Sequence, residues 1–119
     1  MRKLLYALMF VSPISLAGKA DVVNVKVYCP IPESCTFNVT VQHADTGWKH
    51  YANQWDVVAP DGQLLGSRVL YHPHVDEQPF TRSLSNVSIP KGIKKVIVKA
   101  QDLKHGWGGK EFTVELPGR

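Results

Sequence analysis

Seven short stretches of the chain alternate apolar with polar residues, and no helical period competes with them. A period of two puts every second side chain on one face of an extended strand. TFNVTVQ (36–42) turns Phe37, Val39 and Val41 one way and Asn38 and Thr40 the other. DVVNVKVY (21–28) groups Val23, Val25 and Val27, and NQWDVVA (53–59) groups Trp55 and Val57. KEFTVELP (110–117) sets Phe112, Val114 and Leu116 inward. QLLGSRVLYH (63–72), with a bend expected at Gly66, FTRSLSNVS (80–88) and IKKVIVKA (93–100) complete the set.

The punctuation agrees. Pro60 and Gly62 in APDG, and Pro90 and Gly92 in IPKG, supply a preset φ and a flexible closing residue for tight turns. Strands at this spacing predict an all-β chain: a single immunoglobulin/fibronectin-like antiparallel β-sandwich of about seven strands over residues 21–119. Trp55, on the third strand, is expected in its core. The sequons at Asn38 and Asn86 fall inside expected strands and are read as chance matches rather than glycan sites.

Residues 1–20 read differently. Arg2 and Lys3 precede an apolar run, LLYALMFV, too short to span a membrane, and small residues follow up to Ala20. This is the pattern of a signal peptide cut after Ala20, with a retained anchor as the alternative. No lipobox-like cysteine lies nearby, which argues against lipid attachment. A periplasmic or secreted protein is expected, with no membrane contact after cleavage. The chain carries 14 Lys and Arg against 10 Asp and Glu, but Arg2, Lys3 and Lys19 leave with the signal, so 11 face 10. Nothing in that balance calls for nucleic acid. Lys91, Lys94, Lys95 and Lys99 cluster, but alternation puts Lys95 and Lys99 on one solvated face that blunts strand pairing. In an oxidising compartment Cys29 and Cys35 of CPIPESC are expected to form a short disulfide loop; a thiolate metal site or redox pair is the alternative.

Strand count decides where the chemistry lies. Successive strands of such a sandwich run in opposite directions, so connections alternate between its two ends. CPIPESC, APDG and IPKG share one end and hold no histidine. HADTGWKHYA, HPHVDEQP and QDLKHGWGG share the other, with all five histidines, Asp45, Asp76, Glu77, Asp102, Trp48, Tyr51 and Trp107. Imidazoles from several loops are the donors that copper and zinc take. His43 continues the inward parity of Phe37, Val39 and Val41. His72 precedes Pro73 and is held extended, so His72 and His74 face one way. The expected ligands are His43, His72, His74 and His105, with His50 fifth. Asp45, Glu77 or Asp102 would add an oxygen ligand or orient a ring. Each residue also has a plainer reading. A single histidine here is a surface or strand-end residue, Asp45-Thr46-Gly47 a tight turn with an Asx bond, and Arg82 a partner for Glu77 or Asp76. Trp48, Tyr51 and Trp107 either pack the loops or offer an aromatic binding surface.

HADTGWKHYANQWDVVAPDG, YHPHVDEQPFTRS and HGWGGKEFTVELP resemble a family of small exported bacterial proteins of unassigned activity, from about Val39 onward. The resemblance implies export and a compact single domain, and supplies no reaction or ligands. The histidine motifs do not resemble those of copper-zinc superoxide dismutase. With Asp21 as the expected first residue, there is no N-terminal histidine for a copper histidine brace.

The function expected is transition-metal binding, copper or zinc, for buffering, delivery or sensing, with a periplasmic protein as a conceivable partner. A metal-free carbohydrate- or protein-binding module is the alternative, and a small mononuclear metalloenzyme the third reading. No G-x-S-x-G, H-E-x-x-H or phosphate loop is present, so no catalytic residue is assigned.

Overall fold

The computed structural model describes residues 18–119. All but three residues of the expected signal segment therefore lie outside the described residues. Seven strands form: β1 (Asp21–Ile31), β2 (Ser34–Gln42), β3 (Ala52–Val58), β4 (Leu64–Val69), β5 (Phe80–Ser88), β6 (Lys95–Asp102) and β7 (Phe112–Glu115). They make two antiparallel sheets, ordered β1-β2-β5 and β4-β3-β6-β7. This is the expected sandwich, with β4 hydrogen-bonded to β3 rather than to β5. Among the described residues no helix is long and apolar enough to cross a membrane.

Alternation builds the core. Phe37, Val39 and Val41 of β2, Trp55 and Val57 of β3, and Val96 and Val98 of β6 are fully buried between the sheets. Burying each valine side chain stabilises the fold by roughly 1.5–3 kcal/mol before chain entropy is set against it. Leu116 closes one edge, with Phe112 and Val114 half-buried beside it.

β1 departs from its expected pattern. A register shift between Val22 and Asn24 interrupts the ladder with β2. The extra residue reverses the facing, so Val22 and Val25 are buried and Val23 is exposed. Near Gly66 the pairing of β3 with β4 also shifts register. A Cβ on Gly66 would stand 3.0 Å from the Leu84 side chain of the opposite sheet, so the two sheets approach closely there.

Cys29 and Cys35 are disulfide-bonded, which closes the β1–β2 connection. Cys35 is buried in the core and Cys29 packs against it.

Candidate metal centre

Asp45 ties the histidine-bearing connections together. It lies in the β2–β3 connection and is 5% exposed. Its Oδ1 takes the Nδ1–H of His43 at 2.5 Å and the backbone N–H of Ala52 at 3.0 Å. Its Oδ2 accepts the backbone N–H of His74, in the β4–β5 connection, at 2.8 Å. The Asx turn expected at Asp45-Thr46-Gly47 does not form, because these partners use the carboxylate. The turn closes instead through Thr46 N–H to the His50 carbonyl, 3.0 Å, and His50 N–H to the Gly47 carbonyl, 3.1 Å. Gln78 adds a second tie, accepting from the His43 backbone N–H and donating to the His74 carbonyl.

Since Asp45 takes the Nδ1 proton of His43, the Nε2 nitrogen of that ring faces other partners. It meets His50 Nε2 at 3.2 Å, the Gly18 carbonyl oxygen at 3.2 Å and Asp102 Oδ2 at 3.6 Å. His50 Nε2 is itself 2.8 Å from Asp102 Oδ2. His105 Nδ1 reaches the same oxygen at 2.9 Å, as do the backbone N–H groups of Lys104 and His105 at 3.3 and 3.2 Å. Asp102 ends β6, where alternation turns it inward behind Val96, Val98 and Ala100. Its other oxygen, Oδ1, is buried and has no hydrogen-bond partner among the described residues. Burial pushes the Asp102 carboxyl up. The hydrogen bonds from the His105 ring and backbone, with the charges of His43 and His105, outweigh that and hold it below the usual carboxylate range.

His43 Nε2, His50 Nε2 and Asp102 Oδ2 thus form a triangle with sides of 3.2, 2.8 and 3.6 Å. One edge of a tetrahedron around zinc, with ligand bonds near 2.05 Å, is roughly 3.3 Å. His43, His50 and Asp102 could therefore hold a metal ion. Asp45 stands where a carboxylate would orient such an imidazole. His105 stands at the edge, its ring centroid 5.1 Å from that of His50.

The β4–β5 histidines take other partners. The His72 and His74 ring centroids are 4.8 Å apart, as i and i+2 positions of an extended segment should be. His74 is buried and stacks on Phe80 at 4.0 Å, and its Nε2 accepts from the Arg82 guanidinium at 2.8 Å. Burial pushes its imidazole below the ordinary histidine range, helped by the charges of Arg82 and His72, against Asp45 and Glu77. His72 is exposed, and its ring's one hydrogen-bond partner among the described residues is the Pro73 carbonyl. Arg82 also pairs with Glu77, 3.4 Å away, and so leaves Glu77 with a structural partner. Trp48 is 65% exposed and meets Tyr51 edge-on at 5.8 Å, whereas Trp107 lies under the Lys99 ammonium at 4.9 Å.

Sequence reasoning ranked His50 last and did not include Gly18. His50 reaches the site through Asp102, 52 residues away in the chain, a partnership that no local spacing announces. Gly18 gives no signal either, because its residue type carries no side-chain chemistry.

No family model matches the chain, and no solved structure matches it. Among curated proteins it is similar to one from Halomicrobium mukohataei described as "Putative lipoprotein". The two are 37% identical over 97 residues, which cover 82% of this chain and 47% of that protein. The chain thus spans about half the length of the curated relative it matches.

Proposed function

We propose that this is an exported, periplasmic or secreted protein that binds a transition metal, zinc or copper(II), at His43, His50 and Asp102, and serves in buffering, delivery or sensing. The triangle of donor atoms carries the reading. Three potential ligands, two from the β2–β3 connection and one from the end of β6, stand 2.8 to 3.6 Å apart, one ring is oriented by Asp45, and a buried carboxylate oxygen has no hydrogen-bond partner among the described residues. Nitrogen and oxygen donors without thiolate or thioether suit zinc and copper(II) rather than copper(I). The relative's description as a lipoprotein supports export. His72 and His74 stay outside this ligand set, since Arg82 occupies His74 Nε2.

Binding requires His50 to surrender the Nε2 proton it shares with Asp102, so metal uptake releases protons. Metal bound only to the folded state stabilises it by about 2.7 kcal/mol when free metal is about a hundred times the dissociation constant. The test is a melting curve with and without Zn(II) or Cu(II) at about pH 7 and about pH 5. A rise in Tm at the higher pH that shrinks at the lower supports the reading; no rise with either metal at neutral pH overturns it.

Trp48 favours a second reading. Its 65% exposure and edge contact with Tyr51 leave a flat apolar face on the β2–β3 connection. Such a face suits stacking on a sugar ring or a protein surface. A glycan array on metal-free protein tests it.

A further inference from the structure

Gly18, Lys19 and Ala20 sit in a seat that the β6–β7 connection builds for them. Ala20 is 0% exposed and belongs to the hydrophobic core. A Cβ on Gly109 would run into the Ala20 carbonyl oxygen, so only glycine lets the two backbones approach there. A Cβ on Gly108 would press on the Lys19 side chain at 3.3 Å. A Cβ on Gly18 would fall 2.5 Å from His105 Cε1 and 2.7 Å from its Nε2, so the Gly18 Cα lies flat against that imidazole. The Gly18 carbonyl meets His43 Nε2 at 3.2 Å. Removing these three residues would empty a core position and leave the glycine-rich HGWGG run shaped around nothing.

The sequence offers a cut that spares them. Ser15-Leu16-Ala17 carries small residues at the first and third positions before Gly18, as a leader peptidase requires. We propose that the exported chain is cut between Ala17 and Gly18 rather than after Ala20, and that the α-amine this frees is an additional donor of the metal site. Water adds across the Ala17–Gly18 amide, leaving a carboxylate on Ala17 and an amine on Gly18. That amine is one bond from a Cα packed on His105, in a residue whose carbonyl already faces His43. An amine and a carbonyl of one residue are a natural chelating pair. Together with His43 and His50 the amine would supply a third nitrogen, leaving Asp102 as the anionic ligand. The uncut precursor would then lack a donor of its metal site until the leader is removed, so metal loading would follow export.

The donor half of this proposal rests on the metal reading; the position of the cut does not. The full 119-residue chain is expressed with its own leader in an exporting host, and the intact mass of the purified product is measured. A product of residues 18–119 supports the cut, and a product starting at Asp21 overturns it. Zn(II) titration then compares this protein with a variant carrying one serine inserted between Ala17 and Gly18. The insertion moves the amine one residue away and leaves the core intact, which an unchanged Tm in chelator verifies. Affinity at least about tenfold weaker in the variant supports the amine as a donor, and equal affinity overturns it. If neither protein binds Zn(II) or Cu(II), the donor assignment and the metal reading fall together, while the mass still decides the cut.

Discussion

His43 Nδ1 and Asp45 Oδ1 are 2.5 Å apart, both side chains fully buried. That one contact fixes the tautomer of the ring whose other nitrogen faces His50 and Asp102. The same carboxylate accepts the backbone N–H groups of Ala52 and His74. Asp45→Asn removes the charge and turns one acceptor into a donor. It is expected to destabilise the metal-free protein by about 1–3 kcal/mol, through buried N–H groups left short of an acceptor. It should also weaken metal binding by about 10–100-fold. Urea unfolding in chelator and metal titration measure the two effects separately.

Ligand exchange distinguishes the two histidine groups. His50→Ala is expected to abolish the rise in Tm with metal, because it removes one corner of the donor triangle. His72→Ala is expected to leave that rise in place, because His72 is exposed and hydrogen-bonds the Pro73 carbonyl rather than any atom of the triangle. The reverse result in paired melting curves would move the centre to the β4–β5 connection.

Acid should weaken the metal-free fold in two windows. His74 has its pKa lowered on folding, so the unfolded chain takes up a proton first. Its contribution is whole above the unfolded value of about 6.5 and is lost as pH falls from there through the lowered folded value. Asp102 is also lowered, and its contribution is whole above an unfolded value of about 3.9 and lost as pH falls through the folded one. Stability therefore rises with pH in both windows. His74→Gln, which cannot titrate, should flatten the upper window alone. Urea midpoints measured in chelator across this range check the sign, and a stability that climbs on acidification would contradict it.

Cys29 and Cys35 should show no reactive thiol in the exported, denatured, unreduced protein. Replacing both with serine is expected to cost roughly 2–3 kcal/mol, since the loop closed is short. Some of that cost reflects placing a hydroxyl at the fully buried Cys35 position. Thiol titration and denaturant midpoints are the measurements.

The strands were legible because a half-buried sheet imposes its period on every residue. Phe37, Val39 and Val41, and Trp55 with Val57, are buried as their spacing requires. Val23 was misplaced because a bulge changes parity without changing composition. Strand count also brought the right connections together, as the His74–Asp45 bond across two of them shows. It could not rank the histidines. That depends on Asp45, which the local sequence presents as a turn residue, and on Arg82, whose claim on His74 comes from β5. Nor could it see that Gly18, Lys19 and Ala20 pack against Gly108 and Gly109, a contact between opposite ends of the chain.

The bond from His74 N–H to Asp45 Oδ2 would give the β4–β5 connection a view of the proposed ion without touching it. A cation at His43 Nε2 draws electron density along the ring and strengthens the hold of Asp45 on His43. The carboxylate then tolerates less rotation, and opening of the β4–β5 connection becomes rarer. Hydrogen–deuterium exchange at the His74 amide would slow on metal loading, so one backbone proton would report occupancy from the far side of a buried carboxylate.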